Sequence, residues 1–186
     1  DLRCERLAEV SGLRRRLAPL LAGPDVGSVD GPAYWCDGPL DAAALFAEVS
    51  GLRLRPDWRL GAYAYRSGGN GNGVVWALPP GSPAPRKIGR SEASLFAPPW
   101  PAGGRSFAEA IEGDGSLLSY LHASILIREV GEYGALWHGV GWGDSVLVDR
   151  VPPDELWTFH ERPPRRLVPR VIRRGGDVVV EFWSVC

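Results

Sequence analysis

The segment Trp58–Leu78, WRLGAYAYRSGGNGNGVVWAL, constrains the fold more than any other part of the chain. Two apolar, aromatic runs flank the Gly/Asn cluster Ser67–Gly73, the pattern of a β-hairpin. Side chains alternate across a strand, so Trp58, Leu60, Ala62 and Ala64 share one face while Tyr63 and Tyr65 share the other. Both faces carry apolar groups, which predicts an interior position in a sheet. A connecting turn needs only about two residues. The longer Ser67–Gly73 stretch therefore predicts a mobile loop, with Arg66, Asn70 and Asn72 as hydrogen-bonding contacts for a partner or ligand. The cluster lacks the Lys-Ser/Thr ending of a phosphate loop and joins two strands rather than a strand and a helix, which argues against nucleotide binding.

Around this hairpin the chain reads as alternating helices and irregular crossings. Leu7, Val10, Leu13, Leu17 and Leu20 form a helical stripe within Leu2–Leu21, with Pro19 expected to kink the last turn. Asp25–Pro39 reads as loop with a short extended piece at Ala33–Cys36. Asp41 is placed to cap a helix over Ala42–Ser50, with Leu45, Phe46 and Val49 inward and Gly51 as its stop. Pro79–Gly104 predicts a long ordered crossing pinned at Leu95, Phe96 and Trp100. Ser106 and Glu109 have capping-box spacing for a short helix through Ile111, and Ser116 caps a longer one from Leu117 to about Val130.

Candidate strands follow at Gly139–Val148, Leu156–His160, Leu167–Ile172 and Val178–Val185, the last two joined by the turn Arg173–Asp177. The run VVVEFWSV predicts a central strand, with Phe182 and Trp183 on opposite faces. Without a regular βαβ rhythm, the expected architecture is a single α+β domain over residues 1–186. Its sheet is mostly antiparallel, of about five or six strands, with helices packed on one side.

Composition narrows function mainly by exclusion. A net charge of −1 argues against a general polyanion binder. Lys87 is the only lysine beside many dispersed arginines, which codon bias toward GC explains as well as any recognition role. Cys4, Cys36 and Cys186 are odd in number and lack CxxC spacing, so a reducing, cytoplasmic setting is expected. The chain starts at Asp1, which leaves room for upstream residues, a signal peptide among them. No run is apolar for the ~18–20 residues that span a membrane.

The segment Ala135–Asp144, ALWHGVGWGD, holds the densest set of chemical groups. Trp137 and Trp142 can present ring faces, and His138 with Asp144 or Glu132 can form an oriented base. A twisted strand with core tryptophans accounts for the same residues. His122, His138 and His160 are widely separated, so no metal site is expected, and no fingerprint calls for a cofactor. Nor is there a Gly-x-Ser-x-Gly elbow. Arg162, Arg165, Arg166, Arg170, Arg173 and Arg174 form a local basic stretch without interleaved aromatics. The leading expectation is an intracellular, non-catalytic domain that binds a protein partner or small ligand. A small hydrolase or transferase using His138 as general base is the alternative. Nucleic-acid binding through Arg162–Arg174 is the third.

Overall fold

A computed structural model describes residues 2–3, 7–24, 33–90, 97–151 and 167–185, with the backbone alone at 2, 3, 7, 8 and 138. In chain order the elements are β1 (Leu2–Arg3), α1 (Leu7–Leu21), β2 (Tyr34–Asp37), α2 (Ala42–Ala47), β3 (Leu52–Leu54), β4 (Arg59–Ser67) and β5 (Asn70–Leu78). There follow β6 (Arg105–Ser106), a 3-10 turn at Phe107–Ala110, β7 (Ile111–Gly113), α3 (Leu117–Gly131) and a second 3-10 turn at Trp137–Gly139. The chain then adds β8 (Val146–Leu147), β9 (Arg170–Arg174), β10 (Asp177–Glu181) and β11 (Ser184–Val185). The fold is α+β, and every strand pairing among the described residues is antiparallel.

The hairpin β4–β5 is the centre of the main sheet, ordered β2-β4-β5-β6, so β4 does occupy an interior position. Its inner face is made of small residues: Ala62 pairs with Val75 and Ala64 with Gly73. Ala62, Ala64 and Val75 meet Val10, Leu13 and Leu17 of α1 and Leu121, Ile125 and Leu126 of α3 in one buried cluster. The outer face is aromatic. Trp35, Tyr63 and Tyr65 are buried there, with Val74, Trp76 and Ile88 packed against them. Burial of each large ring contributes on the order of 2–3 kcal/mol. The proline-rich crossing covers this second face: Tyr63 Oη donates to Arg86 O at 2.9 Å, Ile88 N donates to Asp37 Oδ1 at 3.0 Å, and Trp76 Nε1 donates to Pro99 O at 2.8 Å. Of the expected pins, Trp100 packs at a tilt against Trp76 with centroids 4.0 Å apart, while Leu95 and Phe96 lie outside the described residues.

The N-terminal helix caps are where the sequence puts them, although α2 ends at Ala47, capped by Glu48, rather than running to Ser50. Asp41 Oδ1 accepts from Ala44 N at 3.1 Å, and Ser116 Oγ accepts from Ser119 N at 3.1 Å. Ser106 N donates to Glu109 Oε1 at 3.2 Å, although the element that follows is a single 3-10 turn and Ile111 already belongs to β7. The first helix begins at Leu7 rather than Leu2, because Leu2 and Arg3 pair with Val171 and Arg170 of β9.

Several expectations need correction. Among the described residues the strands form not one sheet of five or six but a four-stranded sheet, a three-stranded sheet β1-β9-β10 and two two-stranded ribbons, β3-β7 and β8-β11. Ser67–Gly73 is no long loop: Ser67 pairs directly with Asn70 across the two-residue turn Gly68–Gly69, and both glycines have positive φ, 46° and 79°. Val178–Val185 is not one central strand. It breaks at Phe182–Trp183 into β10, which lies at the end of its described sheet, and β11, which pairs with β8. The break arises where Phe182 turns toward Trp142, their centroids 6.2 Å apart. Only Val146–Leu147 of the expected Gly139–Val148 strand is extended and paired, and the third strand is shifted to Arg170–Arg174. Leu156–His160 lies outside the described residues.

Candidate functional site

The segment that follows α3 is fixed by the helix's own carboxylates. Glu132, just past the helix end, accepts from Gly141 N at 2.8 Å, from Gly143 N at 2.7 Å and from Trp142 N. Three consecutive backbone amides thus converge on one anion, a nest geometry that a carboxylate satisfies well. One turn earlier, Glu129 Oε1 accepts from Arg14 Nε at 2.6 Å and from Trp142 Nε1 at 2.7 Å. Arg14 also donates to Ser145 O at 2.8 Å and Trp142 O at 2.7 Å. Its guanidinium lies 4.2 Å from the Trp142 ring centroid, and that of Arg128 lies 5.0 Å away. Trp142 is therefore clamped between two cations, Phe182 and Glu129. Such a half-buried, charge-assisted set holds its geometry far better than an exposed ion pair.

Between α3 and this clamp the chain runs along the hairpin. Tyr133 Oη donates to Pro39 O at 2.8 Å, and Gly134 N donates to Leu21 O at 2.8 Å. Leu136 and Gly71 exchange backbone hydrogen bonds at 3.0 and 3.3 Å. This approach explains the glycines of β5. A Cβ on Gly71 would sit 2.6 Å from Gly134 O. One on Gly73 would sit 2.9 Å from Tyr63 O and closer still to Tyr133 O. Backbone on both sides leaves no room for a methyl group.

Arg66, expected to serve the loop tip, is 5% exposed and enclosed at this junction. It donates to Gly134 O at 2.5 Å, Tyr65 O at 3.0 Å, Ala22 O at 3.3 Å and Pro24 O at 3.4 Å. Burial lowers its pKa, but a guanidinium starts so far above neutrality that it stays charged. It ties the end of α1 to the turn after α3. Burial likewise raises the Tyr133 phenol and the Cys36 thiol, so both are neutral at physiological pH. Asn72 Oδ1 accepts from Gly73 N at 2.8 Å, whereas Asn70 Oδ1 is buried with no hydrogen-bond partner.

On top of this rigid frame stands Trp137. It is 69% exposed and has φ of +45°, one of two non-glycine residues with positive φ among those described. Leu136 beside it is also exposed. His138 lies in the same 3-10 turn, with a side chain outside the described set, and Asp144 is exposed on the turn beyond the clamp. Of the residues that sequence singled out, the structure brings Trp142 and Glu132 together at the clamp and places Arg66 apart from them at the hairpin junction. It gives Glu132, Trp142 and Arg66 bonding duties within the fold.

The basic stretch is represented by Arg170, Arg173 and Arg174, which with Leu117 line an open hollow of about 420 Å³. Arg170 is paired with Glu181 at 2.5 Å, and Arg173 donates to Gly115 O at 2.9 Å. Arg162, Arg165, Arg166 and His160 lie outside the described residues. Sequence reading passed over Arg14, Glu129 and Tyr133, whose partners are more than ninety residues away in the chain for each of the key contacts of Arg14 and Tyr133. No local spacing signals such pairs. Among the described residues no group of His, Cys, Asp and Glu is arranged to hold a metal, and no helix is long and apolar enough to cross a membrane. Comparison with protein-family models, with curated proteins and with solved structures finds no match for this chain.

Proposed function

We propose that the chain is a non-catalytic binding domain, working in a reducing, cytoplasmic setting, that engages a protein partner or small ligand through Leu136 and Trp137 beside the β4–β5 hairpin. One observation carries this reading: Trp137 combines an exposed indole with a left-handed backbone. An αL conformation at a non-glycine residue costs on the order of 1 kcal/mol. An exposed tryptophan forgoes most of its burial energy. A connecting turn has no need of either, whereas a rigid aromatic anchor at low entropic cost is what a binding surface uses. The frame beneath, with Glu132 on its three amides and Arg66 on its four carbonyls, supplies the preorganisation that binding rewards.

The test uses Trp137→Gly, which removes the indole and suits the positive φ. Thermal stability is expected to hold or rise. A photo-crosslinking residue placed at position 137 should give a saturable adduct that untagged wild-type protein competes away and that the same residue at Trp100, 67% exposed, does not give. A small-molecule screen read by amide shifts should show changes confined to residues 134–139 and 70–72. If position 137 behaves like position 100 and no ligand moves those amides, the reading is wrong.

A further inference from the structure

We infer that His122 is an acid-released latch, which holds Ser50, in the turn between α2 and β3, onto α3 when neutral and lets it go when protonated. His122 lies mid-helix on α3 and is 4% exposed. Its Nδ1 accepts from the backbone amide of Ser50 at 2.9 Å, while its Nε2 lies 3.7 Å from Glu9 Oε1 of α1. Accepting at Nδ1 requires a bare lone pair there, so the ring is neutral with its proton on Nε2, directed toward α1. Ser50 is two residues past the α2 cap residue Glu48, and Gly51 beside it has φ of +72° before β3 begins at Leu52. One imidazole thus meets three elements: α1, α3 and the turn that leads into the β3–β7 ribbon.

Protonation would place a hydrogen on Nδ1 opposite the Ser50 N–H. Two donors cannot share that line, so the bond to Ser50 must break. The new charge meets Glu9, which favours it, and Arg16 of α1, which opposes it. Arg16 is itself held by Glu48 at 2.6 Å, at the end of α2. On β3 and β7, Arg53 and Glu112 pair with each other at 3.0 Å and are exposed. The ring therefore faces Glu9 through Nε2 in both states, and only the bond to Ser50 at Nδ1 depends on the proton. Burial lowers its pKa, which sets the release below the ordinary histidine range of about 6.5. The bond that is lost is the one between the turn and the α3 side chain; Asp114, whose carboxylate lies against Gly51, still donates its backbone amide to Gly51 O at 2.9 Å, so the release is confined to Ser50.

The test follows the Ser50 amide by hydrogen exchange, corrected for intrinsic rate, between about pH 7.5 and pH 4.5, beside the 15N shifts of the His122 ring. The expected result is an Nε2–H tautomer at the upper end and a roughly tenfold loss of Ser50 protection, the scale of one hydrogen bond, with the same midpoint as the ring. Ile125, a core residue of α3, should stay protected throughout. In His122→Asn, whose Oδ1 can accept from Ser50 without titrating, protection should be pH-independent. If that variant does not fold, the wild-type ring and amide titrations decide alone. A ring that titrates while Ser50 stays protected, an Nδ1–H tautomer, or simultaneous loss at Ile125 would overturn the latch.

Discussion

The two glycine hairpins of this protein use the same residue for opposite reasons. In β9–β10 the turn Gly175–Gly176 links Arg174 to Asp177, Gly175 takes φ of +60°, and a Cβ on either glycine would meet nothing within 4 Å. Conformation alone asks for glycine there, and at Gly175 only. In β4–β5 the turn glycines Gly68 and Gly69 meet the same demand, but Gly71 and Gly73 lie inside a strand. Their missing side chains are what lets Tyr133–Leu136 lie on the sheet. Glycine in a sequence can mark freedom or its opposite, and only the neighbour that arrives from sixty residues away decides which.

Substitution should separate the two cases sharply. Gly73→Ala is expected to cost about 3 kcal/mol or more, since the clash is with backbone on both sides and neither carbonyl can move cheaply. Chemical denaturation measures this directly. Arg66→Met comes next, at about 2–4 kcal/mol, because it leaves the buried carbonyls of Gly134 and Tyr65 without their donor. Gly175→Ala should lose roughly 1 kcal/mol through its positive φ. Gly176→Ala should fall within about 0.5 kcal/mol of wild type. If Gly73→Ala and Gly176→Ala were equally mild, the close-approach account of β5 would fail.

A further expectation concerns acid. Because burial depresses the His122 pKa, the folded state takes up that proton less readily than the unfolded chain. The stability this group contributes is complete above the unfolded value of about 6.5 and is lost as pH falls through that value toward the lower folded pKa. Thermal melts of wild type and His122→Asn should converge or cross on acidification. Parallel melts across that range would contradict the assignment of a neutral, buried imidazole.

What the sequence made legible was local. Asp41 and Ser116 announce their helices because a cap needs only an oxygen three residues ahead of an orphan amide. The α1 stripe and the interior position of β4 follow from periodicity alone. The apolar run Val178–Val185 misled because its composition matches a central strand, while its path is set by Trp142, which draws Phe182 out of line and leaves Trp183 42% exposed. The candidate site was legible as a list and not as an arrangement. Trp137, Trp142 and Glu132 stood out by type, yet the anchors Arg14, Glu129 and Tyr133 act across the chain and carry no spacing signal. Arg66 looked like a loop-tip contact because the loop itself was misjudged.

Native-state hydrogen exchange at the β4–β5 end tests the central claim, that the hairpin is a packed platform rather than a mobile tip. Gly71 N and Leu136 N bond to each other's carbonyls across the junction, so neither should exchange except by large-scale opening. The account predicts protection at both within about 1 kcal/mol of the most protected core amides, and far weaker protection at the Gly175–Gly176 turn. Rapid exchange at Gly71 and Leu136, matching that exposed turn, would contradict it.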